Sequence, residues 1–64
     1  MKPKVTYDAD VNAAYIRLSS SDVFESEEVS PDVVFDFDTE GHIVGIELLN
    51  ARDQLTADML VDAA

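Results

Sequence analysis

Residues 33–49 constrain the fold of this chain more than any other stretch, because two alternating runs meet across an acidic turn. Val33, Phe35 and Phe37 alternate with Val34, Asp36 and Asp38; beyond Thr39-Glu40-Gly41-His42, Val44, Ile46 and Leu48 alternate with Gly45, Glu47 and Leu49. Successive side chains of a strand point to opposite faces, so this pattern predicts two half-buried strands joined as a hairpin. Both apolar sets reach one core only if odd positions of the first strand oppose even positions of the second. A loop of two residues (Glu40-Gly41) or four (39–42) does this, setting Phe35 opposite Ile46 and Phe37 opposite Val44. A three-residue loop would mix the faces. Glu-Gly also approximates the Asp-Gly and Asn-Gly pairs that suit tight hairpin turns.

The same stretch matches a calcium loop in spacing, with Asp36, Asp38 and Glu40 at positions one, three and five, Gly41 at six and Glu47 at twelve. Its flanks argue against an EF-hand. Pro31 and the β-branched and aromatic run Val33-Val34-Phe35 do not make an entering helix, and Gly45 interrupts the outgoing segment. Asp36, Asp38, Glu40 and Glu47 nevertheless form a candidate set of ligands for a divalent cation such as calcium.

The remaining chain reads as further strands and one helix. Lys4-Val5-Thr6-Tyr7-Asp8 is a first strand, followed by a turn rich in Asp and Asn. Ala14, Ile16 and Leu18 share one face of a second strand, with Tyr15 and Arg17 on the other. Ser19-Ser20-Ser21-Asp22 breaks the pattern. A short third strand over 23–29 carries Glu25, Glu27 and Glu28, which suit a solvent-facing edge. From 51 to 63 there is neither glycine nor proline, and Leu55 and Met59 lie four apart, which predicts one helix that Asn50 or Asp53 would cap. The predicted fold class is α+β: a single domain over 1–64, with an antiparallel sheet of four to five strands over about 4–49 and a C-terminal helix.

Composition narrows the function. A 64-residue chain without cysteine has neither disulfide nor thiolate metal site, and buries only about 60% of its unfolded surface. It therefore has reason to bind a partner or itself. Fourteen acidic against four basic residues leave a net charge of −10, which argues against nucleic acid and anionic membranes as partners. No run suits a membrane span, and the first residues lack the apolar core of a signal peptide, so a cytoplasmic location is expected. The single histidine, His42, has no neighbouring serine and sits at a turn, so no catalytic group is assigned and no cofactor is implied.

The segments Tyr7-Asp8, Asn12-Ala13-Ala14-Tyr15-Ile16-Arg17-Leu18, Glu25-Ser26-Glu27-Glu28-Val29, Asp36-Phe37-Asp38, Gly41 and Val44-Gly45-Ile46-Glu47-Leu48-Leu49 resemble the DUF2283 family of small bacterial proteins. The likeness runs from about Val5 to Ala51. Asn12 stands where the family usually has Asp, and Ala14 where it has a larger apolar residue. The resemblance implies a compact β-rich domain with a helix and no established activity, and it fits an antitoxin-like binding role. The expected function is thus a non-catalytic protein-interaction module that binds a basic, toxin-like partner or forms a homodimer. The alternative is cation binding on the acidic hairpin. Val34, Ile43, Glu47 and Leu49 are the candidate partner-binding residues, as an apolar centre with an acidic rim on one face.

Overall fold

A computed structural model describes residues 3–63. Five strands form one antiparallel sheet: β1 (Lys4–Asp8), β2 (Ala13–Arg17), β3 (Glu25–Ser30), β4 (Val33–Phe37) and β5 (Ile43–Leu49), in the order β1-β2-β5-β4-β3. The fold is small α+β, as the alternation predicts. The C-terminal segment differs from its expectation. It forms two short helices, α1 (Ala51–Gln54) and α2 (Ala57–Ala63), rather than one. Leu55 breaks the helix by adopting an extended backbone (φ −117, ψ 148), and its side chain packs on the core. Thr56 then opens α2: its carbonyl accepts from Met59 N–H at 3.1 Å. Nor does Asn50 cap α1 through its side chain. It takes the left-handed region at φ 52 and donates instead to Asp32 Oδ2 at 2.8 Å.

One face of the sheet carries Tyr7, Ala14, Ile16, Ile46, Leu48 and Val33, packed with Ala51, Leu55 and Leu60 into the core. Register explains the grouping, since Tyr7 opposes Ala14, Ala14 opposes Leu48, and Leu48 opposes Val33. The helices lie over the β1 side of this face: α2 packs against β1. Asn12, itself left-handed at φ 54, fastens that corner. Its carbonyl accepts from Ala51 N–H at 3.0 Å, and its side-chain oxygen accepts from both Arg52 N–H and the Tyr7 hydroxyl at 3.1 Å.

The central hairpin confirms one pair and corrects the other. Phe35 opposes Ile46, but Phe37 opposes Ile43 rather than Val44. The loop has three residues: Asp38 N–H donates to His42 O at 3.0 Å, and Gly41 N–H to Asp38 O at 3.2 Å, with Gly41 at φ 84. Only a residue without Cβ takes that conformation without strain. The odd-length loop is tolerated because Val44 is an extra residue between the Asp36–Gly45 and Phe37–Ile43 pairs, a β-bulge. The bulge restores the parity that the loop removes, so both apolar sets still reach one face. It is also paired elsewhere, since Val44 O accepts from Leu18 and Ser19 N–H at 3.0 and 3.2 Å.

Candidate functional site

The four acids of the calcium-like spacing fall into two separate groups. Asp36 and Glu47 lie on the sheet face opposite the helices, while Asp38 and Glu40 lie at the turn with His42. Among the described residues, Asp38, Glu40 and His42 are the group whose ligand atoms all lie within 4.8 Å of one another. The Asp38 carboxylate is already engaged there. Oδ1 accepts from Glu40 and His42 N–H, both at 2.9 Å, and Oδ2 lies 3.1 Å from His42 Nδ1. These contacts, led by the His42 N–H, hold the Asp38 carboxyl below the usual aspartate range. Its evident work is to close the turn.

Among the described residues Asp36 is the one buried charged side chain, only 4% exposed. Its carboxylate accepts from Ser26 Oγ at 2.6 Å, directly across the β3–β4 pair. Tyr15 supplies the cover. Gly45 lies between β2 and β4, and a Cβ there would collide with the Tyr15 hydroxyl and ring. Gly45 thus lets the Tyr15 ring lie flat across the sheet toward Asp36. Burial, then a hydrogen bond to Asp36 and its negative charge, push the Tyr15 hydroxyl up from its ordinary value. Glu47, opposite both Tyr15 and Val34, is pushed up as well, first by burial and then by the charge of Asp36. Neither arginine relieves it. Arg17 donates to Ser21 O at 2.8 Å and Arg52 to Ala9 O at 3.3 Å.

The proposed partner-binding set is also divided. Val34 opposes Glu47, and Leu49 lies two residues beyond Glu47 on the same face. Ile43, however, opposes Phe37 and so belongs to the other face, moved there by the bulge at Val44. Ile43 and Leu49 are exposed by 42% and 46%, while Val34 is half-buried.

What the sequence reading missed is a surface at the far edge of the Phe37 face. All six residues of β3 are exposed, and Phe24, just before it, is 67% exposed. Glu25 opposes Phe37 and Glu27 opposes Phe35, which places both carboxylates on the apolar face beyond the reach of α2. Phe24, Glu25, Glu27, Phe37, Asp38 and Thr39 line an open cleft of about 300 Å³. Among the described residues no lysine or arginine forms an ion pair with Glu25, Glu27 or Glu28. The usable signal was the aromatic Phe24 directly before an acidic strand, a hydrophobe that ordinary alternation does not account for.

This geometry defines a small, acidic, single-sheet α+β domain whose β3 edge and aromatic cleft stand open. The family comparison agrees with the sequence resemblance: DUF2283, "Protein of unknown function (DUF2283)", matches residues 4–52, and the chain belongs to that family. The match spans all five strands and ends within α1. Comparison with curated proteins and with solved structures gave no match. No helix among the described residues is long and apolar enough to cross a membrane.

Proposed function

We propose that this domain is a non-catalytic interaction module that binds a basic segment of a protein partner along β3. The observation that carries this reading is the acidic edge strand whose outer side pairs with no described strand, with Glu25 and Glu27 beside the Phe24–Phe37 cleft and Glu28 on the reverse face. An extended segment can add to such an edge through main-chain hydrogen bonds, while alternate side chains reach one face. Basic side chains would meet Glu25 and Glu27 there, and their alkyl stems would lie against Phe24 and Phe37. Each exposed ion pair is worth only about 0.2–1 kcal/mol, so the charges act chiefly on encounter rate and on choice of partner.

The test is a titration of the isotope-labelled protein with an alternating Lys-Val peptide, and with its Glu-Val counterpart, at physiological salt. The reading predicts saturable shifts of β3, Phe24 and Phe37 amides with the basic peptide alone. Small shifts spread over all acidic residues would mean mere charge screening and would count against it.

A second reading rests on the turn, where Asp38, Glu40 and His42 converge: a divalent cation held there. The imidazole in this set suits zinc better than calcium. Zinc binding would first perturb the His42 ring signals, and His42→Ala would abolish that response. A ring unaffected by zinc would remove this reading.

A further inference from the structure

A second opening lies at the opposite edge of the molecule, between β1 and the helices. Tyr7, Arg52, Leu55, Ala57, Leu60 and Val61 line a cleft of about 430 Å³. That volume falls within the range of small-molecule sites, which are mostly apolar with a few placed polar groups. The lining fits that description, with four aliphatic side chains, one phenol and one guanidinium. Its polar end is held in place. The Tyr7 hydroxyl is fixed to Asn12 Oδ1 at 3.1 Å, and the Arg52 guanidinium sits 5.9 Å from the centre of the Tyr7 ring.

Arg52 is the chemically informative member. The chain has fourteen acidic and four basic residues, yet the charged group lining this apolar cleft is a cation. No carboxylate among the described residues pairs with it. Among the described residues its side chain makes one hydrogen bond, donating to Ala9 O at 3.3 Å, which leaves most of its five N–H donors for a ligand. The net negative charge opposes an anion at long range, but at physiological salt that field is screened over about 8 Å. Inside the cleft the near charge dominates.

We infer that this cleft binds a small amphipathic carboxylate, with an aliphatic chain along Leu55, Ala57 and Leu60 and the anionic head on Arg52. The site is separate from the β3 edge and does not depend on what binds there. Affinity is modest, because the cleft is open and a solvent-exposed arginine contributes little more than a surface ion pair.

The test is a titration with octanoate, octanol and octylammonium, each kept below its aggregation concentration, followed through backbone amide signals. The inference expects octanoate to give saturable shifts at Tyr7, Arg52, Leu55 and Leu60, and octanol to bind more weakly. Octylammonium should bind least. Arg52→Gln should weaken octanoate by on the order of fivefold while leaving octanol unchanged, consistent with loss of one exposed ion pair. Because Arg52 also leans on Tyr7, a second variant guards against a merely structural effect. Val61→Lys, at an exposed lining position, should tighten octanoate. Equal binding of all three probes, no saturable shift with octanoate, or octanoate affinity indifferent to both variants would overturn the inference.

Discussion

The two ends of the sheet are built differently. At the β1–β2 end the core face is covered by α2, and Asn12 fastens the turn before β2 to both α1 and Tyr7. At the β3 end every residue of the edge strand is exposed, and Phe35 and Phe37 face the same side as Glu27 and Glu25 opposite them. The first end holds the fold together and the second leaves side chains and backbone free. So small a chain cannot bury both ends, and in this one the burial is concentrated away from β3. Stability and binding should therefore respond to different substitutions.

The largest expected effect tests the covered end. Leu48→Ala removes a side chain only 7% exposed, between Ala14 and Val33, and should cost about 2–5 kcal/mol in urea unfolding. A loss below about 1 kcal/mol would show that this core is not where the stability lies. Next is Gly45→Ala, which forces Tyr15 off the sheet and should cost about 1–3 kcal/mol. The ring-proton NMR signals of Tyr15 should shift with it, and unaltered signals would contradict the close approach.

A smaller effect is electrostatic, and its sign is opposite at Glu47 and Asp38. The folded-state pKa of Glu47 is raised, so its favourable contribution is full below the ordinary 4.5 and is lost as pH rises through the higher folded value. Glu47→Gln should thus stabilise the protein at neutral pH, by at most about 1 kcal/mol given its partial exposure, and flatten stability above pH 4.5. Asp38 behaves the other way. Its contribution is present above the ordinary 3.8 and is lost as pH falls through its lowered value. A Glu47→Gln variant less stable than the parent at pH 7 would show that its charge is compensated within the fold.

The smallest effect on stability belongs to β3. Glu25→Gln and Glu27→Gln should leave the unfolding free energy within about 0.5 kcal/mol of the parent, since both side chains are exposed and form no ion pair with a described residue. Binding of a basic peptide should weaken in the same variants. Loss of stability without loss of binding would erase the contrast between the two ends.

Much of this arrangement was legible in the alternation of single residues. Val33, Phe35, Ile46 and Leu48 announced their shared face, and the three glutamates announced an edge. The bulge at Val44 was not legible, because a three-residue loop and an extra strand residue cancel in parity and leave the same hydrophobic pattern. That cancellation misplaced Ile43. The break at Leu55 was hidden for another reason: no glycine or proline marks it. The pair Thr56 and Asp58 carried the signal, since a hydroxyl N-cap followed by an acid in the first turn starts a new helix. The Asp58 carboxyl is in fact held below its usual range, first by the Thr56 side chain. Least visible was the setting of Asp36. Its burial depends on Tyr15 reaching across from β2, over a strand that sequence spacing alone does not place between them.

The most direct test of the proposal that the open, acidic β3 end binds a basic partner is a paired affinity capture from the host lysate at moderate salt. The parent protein is compared with a Glu25→Gln, Glu27→Gln, Glu28→Gln variant, and the mass of each eluted complex is determined. The account predicts a stoichiometric basic protein with the parent, released by high salt and absent from the variant. Recovery of the parent alone, as monomer or homodimer, or equal capture by the variant, would contradict it.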